Sequence, residues 1–297
     1  YPKFDAATIV TLEDERTLFI QFAPDDNDLT DAKVTVELPD GITFVSATSS
    51  AAFPGAPVPT ISHSLAGKVL TLAVTSNGGT LAKKKTYQFE VKVKAECRAE
   101  GNITFPIKIM SGTVSKKPLS AGINVARPDL TLRAPNITIS YGGSPTTPKE
   151  VTYYLRTTTA SEASSAKVDF IVDENVTLSD FKLNGVAFTP TVSTLPGDRH
   201  VYSYAFTSPS AMGGSKIKNN NDKKITFKAT GAVNICGQQQ LQATVQYPHG
   251  TPSCGGTKSG TDVILSMGSA GNPTFIPQSI QYVATPSSTT PTAIESI

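Results

Sequence analysis

Between Tyr87 and Lys94 the chain alternates without a break: Tyr87, Phe89, Val91 and Val93 fall on one side, and Gln88, Glu90, Lys92 and Lys94 on the other. A period of two is the signature of a strand with one face in a core and the other in water. The same alternation recurs at Leu70, Leu72, Val74, at Ile225, Phe227, Ala229, and at Leu241, Ala243, Val245, Tyr247. No window sustains the 3.6-residue period of a helix. Gly 22 and Pro 21, against Met 3 and Trp 0, suit many short strands joined by turns. These features predict an all-β protein in which two antiparallel sheets pack face to face, their register fixed by the buried face.

The pattern is repeated at the scale of a domain. Tyr1-Pro2-Lys3-Phe4, Arg127-Pro128-Asp129-Leu130 and Asn272-Pro273-Thr274-Phe275 each place a large apolar residue two positions after a proline. Their separations are those of a sandwich domain rather than of a solenoid repeat. Ala32-Lys33-Val34-Thr35-Val36 corresponds to Ala166-Lys167-Val168-Asp169-Phe170, and each is followed by a turn, Pro39-Asp40-Gly41 or Asp173-Glu174-Asn175, before the apolar face resumes. The expected division is therefore a first module at 1–127, a second at 128–271, and at 272–297 the start of a third module or a donor or linker strand. Phe275 to Val283 resembles the opening strand of module one, because Pro273, Phe275 and Ile280 keep the spacing of Pro2, Phe4 and Ile9. Beyond Thr285 the sequence turns to Ser, Thr and Pro, an extended linker if alone.

Several function classes are disfavoured by composition. A net charge of +2 provides no field to steer the chain toward nucleic acid, and the lysine runs Lys83-Lys84-Lys85, Lys116-Lys117 and Lys223-Lys224 lack interleaved aromatics. They are better suited to marking turns and discouraging edge pairing. No run of about 18 apolar residues is present to span a bilayer. The chain begins at Tyr1 without a secretion signal, as expected of a processed protein or an excerpt of a longer array. His63, His200 and His249 sit in no metalloprotease or nucleophile-elbow motif, and no glycine-rich phosphate loop follows a strand, so no catalytic residue and no enzymatic activity is expected.

Three local features are candidate sites. Cys236 and Cys254 are close in sequence, whereas the equivalent position beyond Cys97 is Ser115, which predicts a disulfide in module two alone and leaves Cys97 unpaired. Such a bridge would imply an oxidising compartment; three buried thiols are the alternative. Asp26, Asp28 and Asp31 lie in one acidic run that could supply oxygen ligands to Ca²⁺. The run lacks the glycine and terminal glutamate of an EF-hand loop, and a solvated inter-strand loop is the favoured reading; no other cofactor is expected. His200, Tyr202, Tyr204 and Phe206 share one face of a strand, either as core or as an exposed aromatic strip able to stack on sugar, with core favoured.

The segment from Asn27 to Ala47, with Val34, Val36, Leu38-Pro39-Asp40-Gly41, Ile42 and Phe44, resembles the conserved-repeat domains known as DUF11. Module two keeps only the skeleton of that motif. The resemblance implies tandem Ig-like sandwiches of large bacterial surface proteins, adhesins among them. It leads to the expectation of a non-enzymatic structural or adhesive segment, extracellular at the cell surface, acting as stalk or display modules. Its partners would be neighbouring modules of the same polypeptide and a host or cell-surface protein or glycan. A filament or pilus-type subunit polymerising through its C-terminal strand, and a carbohydrate-binding module using Tyr202, Tyr204 and Phe206, are the alternatives.

Overall fold

The computed structural model describes residues 1–12, 14–158, 160–233, 235–248 and 256–268. Ten strands make up the first pair of sheets: β1 (Pro2–Phe4), β2 (Thr8–Ile9), β3 (Arg16–Phe22), β4 (Ala32–Glu37), β5 (Ile42–Ser50), β6 (Ile61–Ala66), β7 (Val69–Val74), β8 (Tyr87–Ala95), β9 (Gly101–Ser111) and β10 (Val114–Val125). One sheet has the order β1-β3-β8-β5 and the other β2-β10-β9-β4-β7-β6. The opening segment is shared between them: β1 is antiparallel to β3, while β2 runs parallel to β10.

The second pair repeats this wiring with β11 (Leu130–Arg133), β12 (Thr138–Ser140), β13 (Lys149–Thr157), β14 (Ala166–Asp173), β15 (Val176–Leu183), β16 (Val186–Ala187), β17 (Thr191–Leu195), β18 (Arg199–Phe206), β19 (Lys223–Gly231), β20 (Gln238–Gln246), β21 (Thr257–Ser259) and β22 (Val263–Ser266). Its sheets are ordered β11-β13-β19-β15-β16 and β12-β22-β20-β14-β18-β17, with β21 also on β20. In each pair the first sheet follows the A-B-E-D order of an immunoglobulin sandwich, and the second contains the G-F-C run extended by a hairpin. The fold is thus a tandem of Ig-like antiparallel sandwiches, joined through the short link between β10 and β11.

Alternation explains the core. Leu18 and Ile20 of β3, Phe89, Val91 and Val93 of β8, Val34 and Val36 of β4, and Phe105 and Ile107 of β9 are all buried. Fully burying each such side chain contributes about 1.5–3 kcal/mol. The strict period is interrupted at Gln88 and in β15, besides the register shifts at Phe44/Ser46 of β5 and Ser115/Lys117 of β10. Gln88, on the polar side of β8, is buried and donates to Ser50 Oγ at 2.6 Å, a pairing that removes the cost of an unsatisfied amide. In β15 the register slips between Ser179 and Lys182, and Asp180 takes φ 54°. This bulge places one extra residue between the inward Leu178 and Phe181, so that Phe181 still points into the core.

The turn at Pro39-Asp40-Gly41 carries the chain from β4 in one sheet to β5 in the other. Gly41 adopts φ +76°, and a Cβ there would lie 2.4 Å from the backbone nitrogen of Ala99. Only glycine lets these two backbones approach so closely.

The cysteine pairing differs from expectation. Cys236 is a free, exposed thiol before β20, and its expected partner Cys254 lies outside the described residues. Cys97, expected to be unpaired, is disulfide-bonded and packs partly buried against the core two residues after β8. Sequence proximity was a poor guide because a disulfide needs its Cα atoms within about 7 Å, and β topology brings distant residues together as readily as near ones.

Candidate functional site

The acidic run at the tip between β3 and β4 does not converge. Asp26 pairs with Lys84 at 3.1 Å, Asp31 with Lys33 at 3.0 Å, and Asp28 Oδ1 accepts the backbone N–H of Lys83 at 2.8 Å. Among the described residues no group of three or more His, Cys, Asp or Glu side chains is placed to hold a metal ion. Each carboxylate is thus directed to a separate partner, Lys84, Lys33 or the Lys83 amide, and the three do not face a common centre. Beside this tip Phe22, Pro24, Asp28, Ile109, Lys116 and Lys117 line a recess of about 290 Å³.

The aromatic strand lies inside. Tyr202 is 6% exposed and Phe206 0%, and Tyr204 is partly buried against the same core. Their rings belong to a continuous cluster: Phe181 lies 4.9 Å from Phe227 and 5.7 Å from Tyr202, Phe188 lies 4.5 Å from Tyr204, and Tyr204 lies 4.8 Å from Phe206. Tyr202 also uses its hydroxyl oxygen to accept the backbone N–H of Leu178 at 3.2 Å. The exposed sugar-stacking strip is therefore not present on β18, which takes the core role.

At the side of this cluster the second sandwich is open. Between β15–β16 of one sheet and β17 of the other is a cleft of about 390 Å³ lined by Phe181, Ala187, Phe188, Pro190, Val192 and Tyr202. Its one charged wall residue, Asp180, is hydrogen-bonded to Lys228 at 2.7 Å, a contact that holds its carboxyl below the usual range. Sequence reasoning missed this cleft, because it is created by the bulge at Asp180 and the exposed ends of two hairpins rather than by any motif.

The two sandwiches meet at a built junction. The backbone N–H of Glu162 donates to Val10 O at 2.6 Å, Lys216 Nζ bonds both carboxylate oxygens of Asp14 at 2.9 and 2.8 Å and Thr11 Oγ1 at 3.2 Å, and Lys218 pairs with Glu162 at 2.8 Å. Thr11, which precedes β3, is fully buried there, and Leu12 beside it is buried as well. On the second sandwich these partners are placed by the loop that bridges Ala163 to Ile217, both fully buried.

Lys223, the first residue of β19, is 1% exposed and its ammonium donates to Ser215 Oγ, with no carboxylate partner among the described residues. Burial lowers its pKa from the ordinary 10.5. The folded chain thus holds this proton less tightly than the unfolded one, so stability rises with pH from the lowered folded value up to about 10.5. Lys223→Met should raise stability by about 1–2 kcal/mol at neutral pH, because the flexible apolar chain fills the same space without a desolvated charge. It should also flatten that alkaline rise. Chemical denaturation at a series of pH values checks both, and an unchanged slope would show that the ammonium is not the cause.

No family model matches the chain, and no protein of curated function matches it. The resemblance to the conserved-repeat domains thus rests on residues 27–47 alone. Among solved structures, the chain is similar to the C-terminal domain of the antigen I/II-family protein AspA of Streptococcus pyogenes, at 10% identity and TM-score 0.40, covering 89% of this chain and 98% of that one. It is also similar to the C-terminal domain of the AgI/II polypeptide BspA of Streptococcus agalactiae, at 11% identity and TM-score 0.37, covering 90% and 100%. A third is BcpA, the major pilin subunit of Bacillus cereus, at 11% identity and TM-score 0.36, covering 87% and 62%. Similarity at this level concerns the arrangement of strands, and the Ig-like assignment stands on the sheet order itself.

Proposed function

We propose that the chain is a non-enzymatic structural and adhesive segment of an extracellular bacterial surface protein, whose two sandwiches act as stalk or display modules. The observation that carries this reading is the junction. A backbone hydrogen bond from Glu162 to Val10 and the bidentate grip of Lys216 on Asp14 hold successive sandwiches in one orientation, as a spacer requires. Thr11, whose hydroxyl accepts from Lys216 across the junction, is fully buried in this arrangement. The carbohydrate-binding alternative loses its motive, since Tyr202 and Phe206 belong to the core. The filament alternative depends on Phe275 to Val283, which lies outside the described residues.

Small-angle X-ray scattering on the intact chain tests the spacer reading. The wild type should show one fixed inter-module distance, and the double substitution Asp14→Ala, Lys216→Ala should broaden the distance distribution without unfolding either sandwich. A wild-type profile that only a freely jointed pair can fit would reject the rigid stalk.

A further inference from the structure

The cleft on the second sandwich sits beside a free sheet edge. β17 pairs with β18 alone among the described residues, so every second N–H and C=O along its outer side lacks a strand partner. All five of its residues are exposed; Val192 (57%) lines the cleft, and Leu195 (40%) and, on β16, Val186 (68%) are exposed apolar residues nearby in the chain. The strand Thr191-Val192-Ser193-Thr194-Leu195 bears no charge, the usual protection of a free edge.

The first sandwich shows how the same seam is closed elsewhere. There Phe44 of β5 packs edge-on against His63 of β6 with centroids 5.3 Å apart, and Ser49 Oγ donates to Pro59 O, tying one sheet to the other. The recess that remains at the end of that seam carries Asp40, Lys68, Glu96 and Arg98. In the second sandwich the ring contacts across the seam, Phe181 with Tyr202 and Phe188 with Tyr204, reach β18 and not β17, and the one charged lining residue, Asp180, is already paired with Lys228. This open seam is suited to an uncharged, partly apolar strand.

We propose that the seam between β16 and β17 receives residues 279–284 of the same chain, added as a strand to the outer edge of β17. From Val263 through Ile294 the sequence contains no Asp, Glu, Lys or Arg, which matches the neutral edge. Within that run Ser279-Ile280-Gln281-Tyr282-Val283-Ala284 alternates, so Ile280 and Tyr282 share the face that would enter the apolar cleft. Reach permits it. The sheet order places β17 four strands from β22, and one more step to an added strand makes about 24 Å at ~4.8 Å per strand. Residues 269–278 can extend over about 33 Å.

Direction permits it as well. Ser266 faces Gln238, the first residue of β20, while Leu195 faces Arg199, which faces Asp173 at the end of β14; the registers place Ser266 and Leu195 toward the same end of the sandwich. A strand entering from there runs antiparallel to β17, the more stable pairing. Tethering favours the chain's own segment over a second copy, because a short linker gives an effective concentration in the millimolar range. This inference is independent of the stalk reading, since the seam lies away from the junction and its test does not disturb Asp14 or Lys216.

Amide hydrogen exchange on the intact chain is the test. In the wild type, backbone amides of β17 should exchange at least ten-fold more slowly than those of β6, the corresponding edge of the first sandwich, and independently of protein concentration. Ile280→Asp with Tyr282→Asp should bring β17 to the rate of β6. Val192→Lys, at an exposed position that tolerates charge, should do the same from the acceptor side. Equal exchange of β17 and β6 in the wild type, or protection untouched by these substitutions, overturns the proposal. Protection that grows with concentration, together with a doubled mass, overturns it in favour of a second copy as donor.

Discussion

Gly41→Ala is expected to destabilise the first sandwich by about 3–4 kcal/mol, several times the effect of the same change at Gly67. Both glycines have positive φ, +76° at Gly41 and +60° at Gly67, so each substitution carries the backbone strain of a left-handed conformation, worth about 1 kcal/mol. They differ in space. A Cβ at Gly67 meets nothing within 4 Å, whereas at Gly41 it would lie 2.4 Å from Ala99 N and 2.8 Å from Arg98 C. The obstacle is backbone and cannot swing aside as a side chain would. It is also held in place, since the N–H of Glu96 donates to Gly41 O at 2.7 Å and that of Ala99 to Glu96 O at 2.9 Å. Relief would have to separate the β4–β5 corner from the segment following β8, the crossing that joins the two sheets. Urea unfolding of both variants decides the matter, with the loss read from the midpoint at unchanged slope. Equal losses at the two positions would show that the corner yields and that close approach is not what requires glycine there.

Most strands were legible because a half-buried strand writes its burial directly into the sequence. β4, β7, β8, β14, β19 and β20 all follow the alternation from which they were expected, and the correspondence of Ala32–Val36 with Ala166–Phe170 marked equivalent strands of two sandwiches. Alternation does not record which sheet a strand joins. The passage of β5 into the opposite sheet and the return of the β6–β7 hairpin beside β4 depend on pairings between residues far apart in the chain, as at Val34↔Leu72 and Phe44↔Val93. The sites were less legible for a related reason. Asp26, Asp28 and Asp31 are near neighbours in sequence, yet each is drawn to a lysine or a backbone amide on its own side of the tip. Tyr202 and Phe206 are inward because β14 and the bulged β15 supply walls around them, a circumstance one strand cannot announce.

Phe227→Ala should cost the second sandwich about 3–5 kcal/mol, the range for emptying a large aromatic position in a close-packed core. Phe227 is 1% exposed, and its ring lies 4.7 Å from Phe170, 4.9 Å from Phe181 and 6.1 Å from Tyr153. These neighbours come from β13, β14 and β15, so the lost ring is a contact shared by both sheets. Collapse into the space is hindered because Tyr153 is fixed by donating its hydroxyl to Thr261 O at 2.9 Å and because Phe181 is placed by the bulge at Asp180. The cost should fall on one sandwich only. The two cores share no strand, and the hydrogen bonds named between the sandwiches are polar contacts of Val10, Thr11 and Asp14 with Glu162 and Lys216. Calorimetry of the intact chain should therefore show the second sandwich's transition move down by roughly ten degrees or more, given a few degrees per kcal/mol for domains of this size. The first sandwich's transition should move far less. The reciprocal change Phe89→Ala, which removes a ring stacked 5.7 Å from Phe22 in the first core, should shift the other transition instead. If either substitution lowered both transitions equally, the sandwiches would be one cooperative unit, and a tandem of separately folded display modules would no longer describe the chain.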